Sequence, residues 1–306
     1  MAGAIWHYEE LTSTQLAGLD RVRTLALMAL GPLEVHGPHL PLGTDLLVAQ
    51  ELQRRVVGLV GQRWSETDFL LLPPAFLGAD TVPDPTSVDV DSRAVYRLLM
   101  AIGRSLSSQG FRTLVVTDNH GGPRHQIAIE KAVRRLYRRH GLVLIAPSNR
   151  FCRRMIEQDS RILAKMGLSP GLGDASDAHA GTAETSMVLI FAPGLVLPLW
   201  RRLPRKAVPQ EASKNRLLRA VAGMARGLGA RRLARDLAHL SLTLGWLGME
   251  PMPTYLGAPA QANAEDGDRM LDAHAAVAIS MLEEARAGHA PFSEPLLWDL
   301  RFIERS

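Results

Sequence analysis

The sequence predicts an α/β fold in which a mostly parallel sheet carries helices on both faces. Three observations lead there. Five short, unbroken apolar runs are spread along the 306 residues, and longer stretches with helical spacing lie between them. Loops rich in Gly and Pro, carrying His, Asp and Glu, adjoin several of the runs. Unbroken apolar runs of this length suit strands covered on both sides, as parallel strands are.

The runs Thr24–Leu30, Phe69–Leu72, Thr113–Val116, Leu142–Ala146 and Met187–Phe191 are the predicted strands. Helical spacing predicts helices over Leu46–Leu59, Ser92–Leu106 and Arg124–Arg139, with further ones over Phe151–Met166 and Asn215–Leu237. Asp266–Ala287 reads as the last helix, before a Pro-containing tail. No Ser/Gly/Pro linker, low-complexity tract or internal repeat interrupts the chain, so residues 1–306 read as a single domain.

Composition narrows the function. Cys152 is the only cysteine, which excludes an intrachain disulfide and a cysteine-based zinc site. Such a residue is expected to be a small buried hydrophobe rather than a nucleophile. The start of the chain lacks the charged and apolar regions of a signal peptide, and no stretch approaches a membrane span of about 20 apolar residues. A cytoplasmic protein without a membrane partner is expected. The net charge is +4. The Arg residues are spread over helix-like segments rather than gathered with aromatics, so they read as solvated faces and no nucleic-acid partner is expected.

Directly after the first strand comes Gly31-Pro-Leu-Glu34-Val-His36-Gly-Pro-His39-Leu-Pro-Leu-Gly-Thr-Asp45. Glu34 and His36 are two apart, so in extended backbone both point the same way. Asp45 would open the next helix. Carboxylates and imidazoles together suit Zn, Mn or Fe. A polar loop with Asp45 as helix cap would explain Asp45 but not its two companions. After the third strand comes Thr117-Asp118-Asn-His120-Gly121-Gly122. Its glycines allow close backbone approach to a ligand, and their N–H groups could hold an oxyanion. The third cluster, Asp177-Ala-His179-Ala-Gly-Thr-Ala-Glu184, precedes the predicted strand Met187–Phe191. Each of the last two clusters alone could be an ordinary turn. Five or six ligand-capable groups converging on one sheet edge fit a two-metal hydrolase.

These residues resemble the creatininase (creatinine amidohydrolase) family. Glu34-Val-His36-Gly-Pro-His-Leu-Pro-Leu-Gly-Thr-Asp45 is similar to its first signature. His120-Gly-Gly and His179-Ala-Gly-Thr-Ala-Glu184-Thr-Ser resemble the second and third, and Gly257–Gly267 a segment before the last helix. The resemblance spans about residues 24 to 285. It implies a three-layer α/β/α sandwich, two divalent metal ions and a homo-oligomer such as a hexamer. Glu34 and His120 would bind one ion and His36 the other, with Asp45 bridging. Creatininase places a glutamate two residues after its motif histidine, where this chain has Gly122. In relatives with His-Gly-Gly the glutamate of the third motif takes over, here Glu184. His39 and Asp118 would orient ligands from behind. His125, His140, His239, His274 and His289 fall in helix-like or tail segments and are expected at the surface.

The departures bear on substrate. The usual Asn-Gly-His-Gly-Gly-Asn reads Asp118-Asn-His-Gly-Gly-Pro123, and the usual Pro-Gly-Thr reads Asp84-Pro-Thr86. Creatininase encloses its flat substrate with tryptophans before and within the third motif, and none lies between Trp64 and Trp200 here. Creatinine is therefore not the expected substrate. The resemblance implies an amidohydrolase that cleaves a cyclic or small linear amide with a hydroxide bridging two metals. His179 would protonate the departing nitrogen, Glu184 would share the catalytic work, and Gly121, Gly122 and Thr86 would bind substrate. A peptidase trimming a modified peptide, a formamide hydrolase and a non-catalytic metal-binding scaffold are the alternatives.

Overall fold

A computed structural model describes residues 3–157, 167, 177–208 and 216–302. The sheet is organised around β2 (Thr24–Gly31), whose eight residues are all buried. Its neighbours are β3 (Asp68–Leu71) and β5 (Thr113–Thr117). Outside them lie β1 (Ile5–His7) and β6 (Val143–Ile145), giving the order β1-β3-β2-β5-β6. The two-residue β4 (Ala75–Phe76) pairs with the carboxyl end of β2, Leu30 against Ala75. Every pairing between described strands is parallel.

Strand alternation sends successive side chains to opposite layers. Ala26, Met28 and Leu30 pack with Val95, Leu99 and Leu106 of α3 (Ser92–Ser108) and with Ile129, Val133 and Leu136 of α4 (Pro123–His140). Leu25 and Leu27 face the other way. They meet Val56 and Val60 of α2 (Thr44–Arg63), Phe151 of α5 (Pro147–Ile156), and Ala278 and Met281 of the last helix, Ala264–Arg286. Helices thus cover both faces of a parallel sheet, in three layers.

The predicted strands Thr24–Leu30, Phe69–Leu72, Thr113–Val116 and Leu142–Ala146 form within a residue or two of their expected ends. The fifth, Met187–Phe191, is not a strand. It is the second half of α6 (Thr182–Phe191), a helix packed against α2 and the last helix. A helix buried on most sides is apolar all round, so its residues lack the polar face that betrays helical periodicity. At Gly267 that packing is very close, since a Cβ there would stand 2.0 Å from the Ser186 carbonyl oxygen.

The helix expected over Asn215–Leu237 is two helices, α7 (Arg216–Gly227) and α8 (Arg231–Leu247). The last helix is therefore α9. The far part of the helix expected over Phe151–Met166 lies outside the described residues. β1, β4 and the five-residue α1 (Ser13–Ala17) are too short for a periodic signal. None of the helices among the described residues is long and apolar enough to cross a membrane.

From β2 the chain passes through α2 to β3 on one side, then through α3 to β5 on the other. The direction of winding reverses between β2 and β5, where Ala29 pairs with Thr117. A crevice opens at the carboxyl ends of strands at such a reversal. The Gly31–Thr44 and Asp118–Gly122 loops leave from there.

Candidate metal centre

The loop after β2 delivers Glu34 and His36, and the first turn of α2 delivers Asp45. All three are at most 1% exposed. Asp45 is the second residue of α2 rather than its cap, which is Gly43. The loop after β5 delivers His120, and the first turn of α6 delivers Glu184. Two sets of donor atoms result, each within 4.8 Å of one another: Glu34, Asp45 and His120, and His36, Asp45 and Glu184. Asp45 is common to both. Its Oδ2 lies 3.4 Å from His120 Nδ1 and 3.7 Å from His36 Nε2. Glu184 Oε2 is also 3.7 Å from His36 Nε2, and Glu34 Oε1 is 3.0 Å from His120 Nδ1.

Each imidazole is held so that one nitrogen is left for an ion. His120 Nε2 donates to the Ala79 carbonyl at 2.8 Å, which turns the lone pair of Nδ1 to Glu34 and Asp45. His36 Nδ1 donates to the Glu34 carbonyl at 3.0 Å, which leaves Nε2. Such backbone partners set tautomer and ring orientation in metal sites. The carboxylates are held too. Glu34 Oε2 accepts from Val82 N–H at 2.6 Å, and Glu184 Oε2 from Ala180 N–H at 2.5 Å. Asn119 donates to Asp45 Oδ1 at 3.2 Å and to Glu184 Oε1 at 3.0 Å, joining the two motifs.

Of the five candidate ligands, His36 Nε2 and Asp45 Oδ2 are buried atoms without a hydrogen-bond partner among the described residues. Leaving both unmatched would cost of the order of 1–3 kcal/mol each, more if charged. A cation between them would satisfy both, so the donor set fits divalent metal. In the metal-free chain, protons take that role. Burial opposes a charge on His36, but Asp45, Glu184 and Glu34 overcome it and raise its pKa to about 10. Burial likewise opposes a charge on His120, but Glu34 and Asp45 hold it well above the ordinary histidine value. Burial would raise Asp45; instead the charges of His36 and His120 beside it keep it well below the usual carboxylate range.

His179 sits over this centre. Its ring centroid is 4.3 Å from that of His36, and a donor atom of His179 lies within 4.8 Å of Glu34 and His36 donors. Nε2 donates to the Val35 carbonyl at 2.7 Å. Burial, then the charge of His36, lowers its pKa, so it is neutral at neutral pH.

The creatinine amidohydrolase family model matches residues 9–282. The chain belongs to the creatininase family. Among curated relatives, the mycofactocin precursor peptide peptidase of Mycobacterium ulcerans is 33% identical over 61% of this chain and 66% of its own length. That of Mycolicibacterium smegmatis is 30% identical over 56% of this chain and 60% of its own. The chain thus spans about two thirds or less of these relatives. A solved structure described as a putative creatinine amidohydrolase of Bacteroides fragilis covers 91% of this chain and 95% of its own, with a TM-score of 0.62 at 19% identity. A manganese creatininase gives 0.58 at 20% identity, covering 91% and 98%. A mutant creatininase described as Zn-Zn type gives 0.58 at 18%, covering 91% and 97%. The fold is therefore creatininase-like.

Other expectations of the creatininase resemblance fare unevenly. Gly121 is exposed with open space beside its Cα, whereas at Gly122 a Cβ would stand 2.4 Å from the Ala79 oxygen and 2.5 Å from His120 Nε2. Only glycine fits there. Thr86 is exposed, and its hydroxyl donates to Asp84 at 2.6 Å. Asp118 accepts the His120 N–H at 3.0 Å and lies 3.1 Å from His125 Nε2, behind His120. His39 bonds Thr185, beside Glu184, at 2.8 Å.

His125 and His274 are not surface residues, being 0% and 2% exposed. His125 pairs with Asp118, and His274 with Ser148 at 3.0 Å, under a stacked Phe151 ring. Both occupy the inner face of their helices, where a polar residue hides among apolar spacing. Cys152 is half-buried, and burial pushes its thiol up to about 12, as suits an unreactive residue.

Four contacts at the centre carry no distinct signal in the sequence. Asn119 stands between two stronger candidates, Asp118 and His120. The Val82 N–H and Ala79 carbonyl are backbone groups without a residue signature. Trp246 of α8 comes within 5.4 Å of the His179 ring, a tryptophan supplied from far outside the third motif.

Proposed function

We propose that the chain is a binuclear metal-dependent hydrolase of an amide C–N bond. Glu34, His120 and Asp45 would hold one divalent ion, and His36, Glu184 and Asp45 the other. The observation that carries this is the buried Asp45 Oδ2, without a hydrogen bond and set between the free nitrogens of His36 and His120. Zinc or manganese, each named for a solved creatininase, suits these oxygen and nitrogen donors, and iron would also.

Bound ions would acidify a water and polarise the amide carbonyl. The chain's own groups do the rest. Gly121 and Gly122 present backbone N–H groups beside His120 for the carbonyl oxygen. His179, neutral and with Nε2 committed to Val35, offers Nδ1 to take the nucleophile's proton and pass it to the departing nitrogen. That refines the sequence expectation of a plain acid. Glu184, its side chain 16% exposed, lies on the solvent side of the centre and would hold the His36 ion from there.

A peptide bond of a precursor peptide is the favoured substrate, because both mycobacterial relatives are named for that activity. A small or cyclic amide, or a formamide, is the second reading, drawn from the family's namesake. A homo-oligomer in the cytoplasm is the setting we propose.

The test is metal analysis with turnover on creatinine, formamides and short peptides. Two ions per chain are expected. Glu34→Gln or His36→Ala should remove metal and abolish turnover. Full activity in metal-free protein would refute the proposal, and metal without hydrolysis of any amide would favour a scaffold.

A further inference from the structure

One short segment reaches two of the three groups that would hold a single ion. The Ala79 carbonyl accepts from His120, and the Val82 N–H donates to Glu34. Between them stands Asp80, whose φ of 65° lies in the left-handed region. Few residues other than glycine adopt it, Asp and Asn most readily. Non-glycine residues held there concentrate at functional sites. Asp80 Oδ2 accepts the backbone N–H of Arg124 at 2.7 Å, and its Oδ1 pairs with Arg124 Nε.

Arg124 is the second residue of α4, whose cap position, Gly122, has no side chain to receive that N–H. Asp80 supplies the missing acceptor from a different loop. The pair is unsuited to a large role in stability: Arg124 is 59% exposed and Asp80 20%, and ion pairs so placed contribute about 0–1 kcal/mol. Its consequence is geometric. It pins the 79–82 segment against the start of α4, and with it the two backbone groups that aim His120 and Glu34. His36 and Glu184 are held instead by the Glu34 carbonyl, Asn119 and Ala180.

We infer that Asp80 is a positioning residue that sets the affinity of the Glu34–His120 metal position and not of its neighbour. This rests on the two-metal proposal above. The experiment titrates metal-free protein with Zn²⁺, and with Co²⁺ followed by visible absorption. Wild type should take up two ions in two steps. Asp80→Gly accepts the same backbone angle but loses the carboxylate; one step should weaken about 10–100-fold, with its Co²⁺ bands altered, and the other should stay within about twofold. Glu184→Gln strikes the neighbouring position and so identifies which step is which. Asp80→Asn keeps an oxygen for the Arg124 N–H and should restore both steps. Equal weakening of the two steps, or none, in Asp80→Gly overturns the inference. Fewer than two ions on wild type would overturn the two-metal proposal itself, before any variant is made.

Discussion

Glu34 and His120 leave the sheet directly, from loops that follow β2 and β5, whereas Glu184 reaches the centre from a helix remote from both strand ends. The first pair is at most 4% exposed, and each member is tied to backbone of the 79–82 segment. Glu184 is 16% exposed and is tied to an asparagine side chain and to Ala180, itself at a φ of 48°. Of the two proposed metal positions, one is built into the sheet edge, and the other is closed by docking α6 onto it. Buried loops at the sheet edge make a tighter cage than the more exposed end of a docked helix. The Glu34–His120 position should therefore fill first.

The largest effect that probes this contrast is at the shared residue. Asp45→Ala removes the group common to both sets, so both positions should empty together, with a loss of turnover beyond the about 10–100-fold cost of removing an outer partner. Metal stoichiometry reads it directly; a variant retaining one tight ion would mean that Asp45 serves a single position. Asn119→Ala should be milder and uneven. It frees Glu184 Oε1 and also one contact of the shared Asp45, so the His36–Glu184 position, which loses both, should weaken about 10–100-fold, and the other less. Isothermal titration would expose a uniform loss, which would remove the distinction drawn here.

The smallest effect concerns the support behind the centre. Burial lowers His274 to about 4, so the folded chain leaves it neutral where the unfolded chain binds a proton. Its contribution is present in full above the unfolded value near about 6.5. It is lost as pH falls through that value to about 4, up to about 3 kcal/mol in all. In metal-free protein, His274→Gln should flatten the stability–pH slope in that window by about 1.4 kcal/mol per pH unit. Denaturant unfolding at pH 4.5 and 7 measures it, and an unchanged slope would mean that His274 does not titrate on unfolding.

Four of the five predicted strands were legible because a parallel strand is buried by its own residues, whatever its neighbours are. Met187–Phe191 was not, because burial within a helix cluster removes the same polar residues that burial within a sheet removes. His125 and His274 were misplaced for a related reason. Spacing tells which face of a helix is apolar, but not whether a histidine on it finds Asp118 or Ser148 waiting inside.

The sequence by itself determined the sheet's central strands and, through the three motifs and the resemblance they carry, singled out Glu34, His36, Asp45, His120, His179 and Glu184 as one chemical group. Local chemistry suffices there, since turn-forming glycines and ligand-capable side chains sit side by side. Tertiary structure alone decided which nitrogen of each histidine is left open, and that Asn119, Trp246 and the Ala79–Val82 backbone border the group. Those assignments depend on distances between segments far apart in the chain, and on backbone N–H and C=O groups that every residue carries alike.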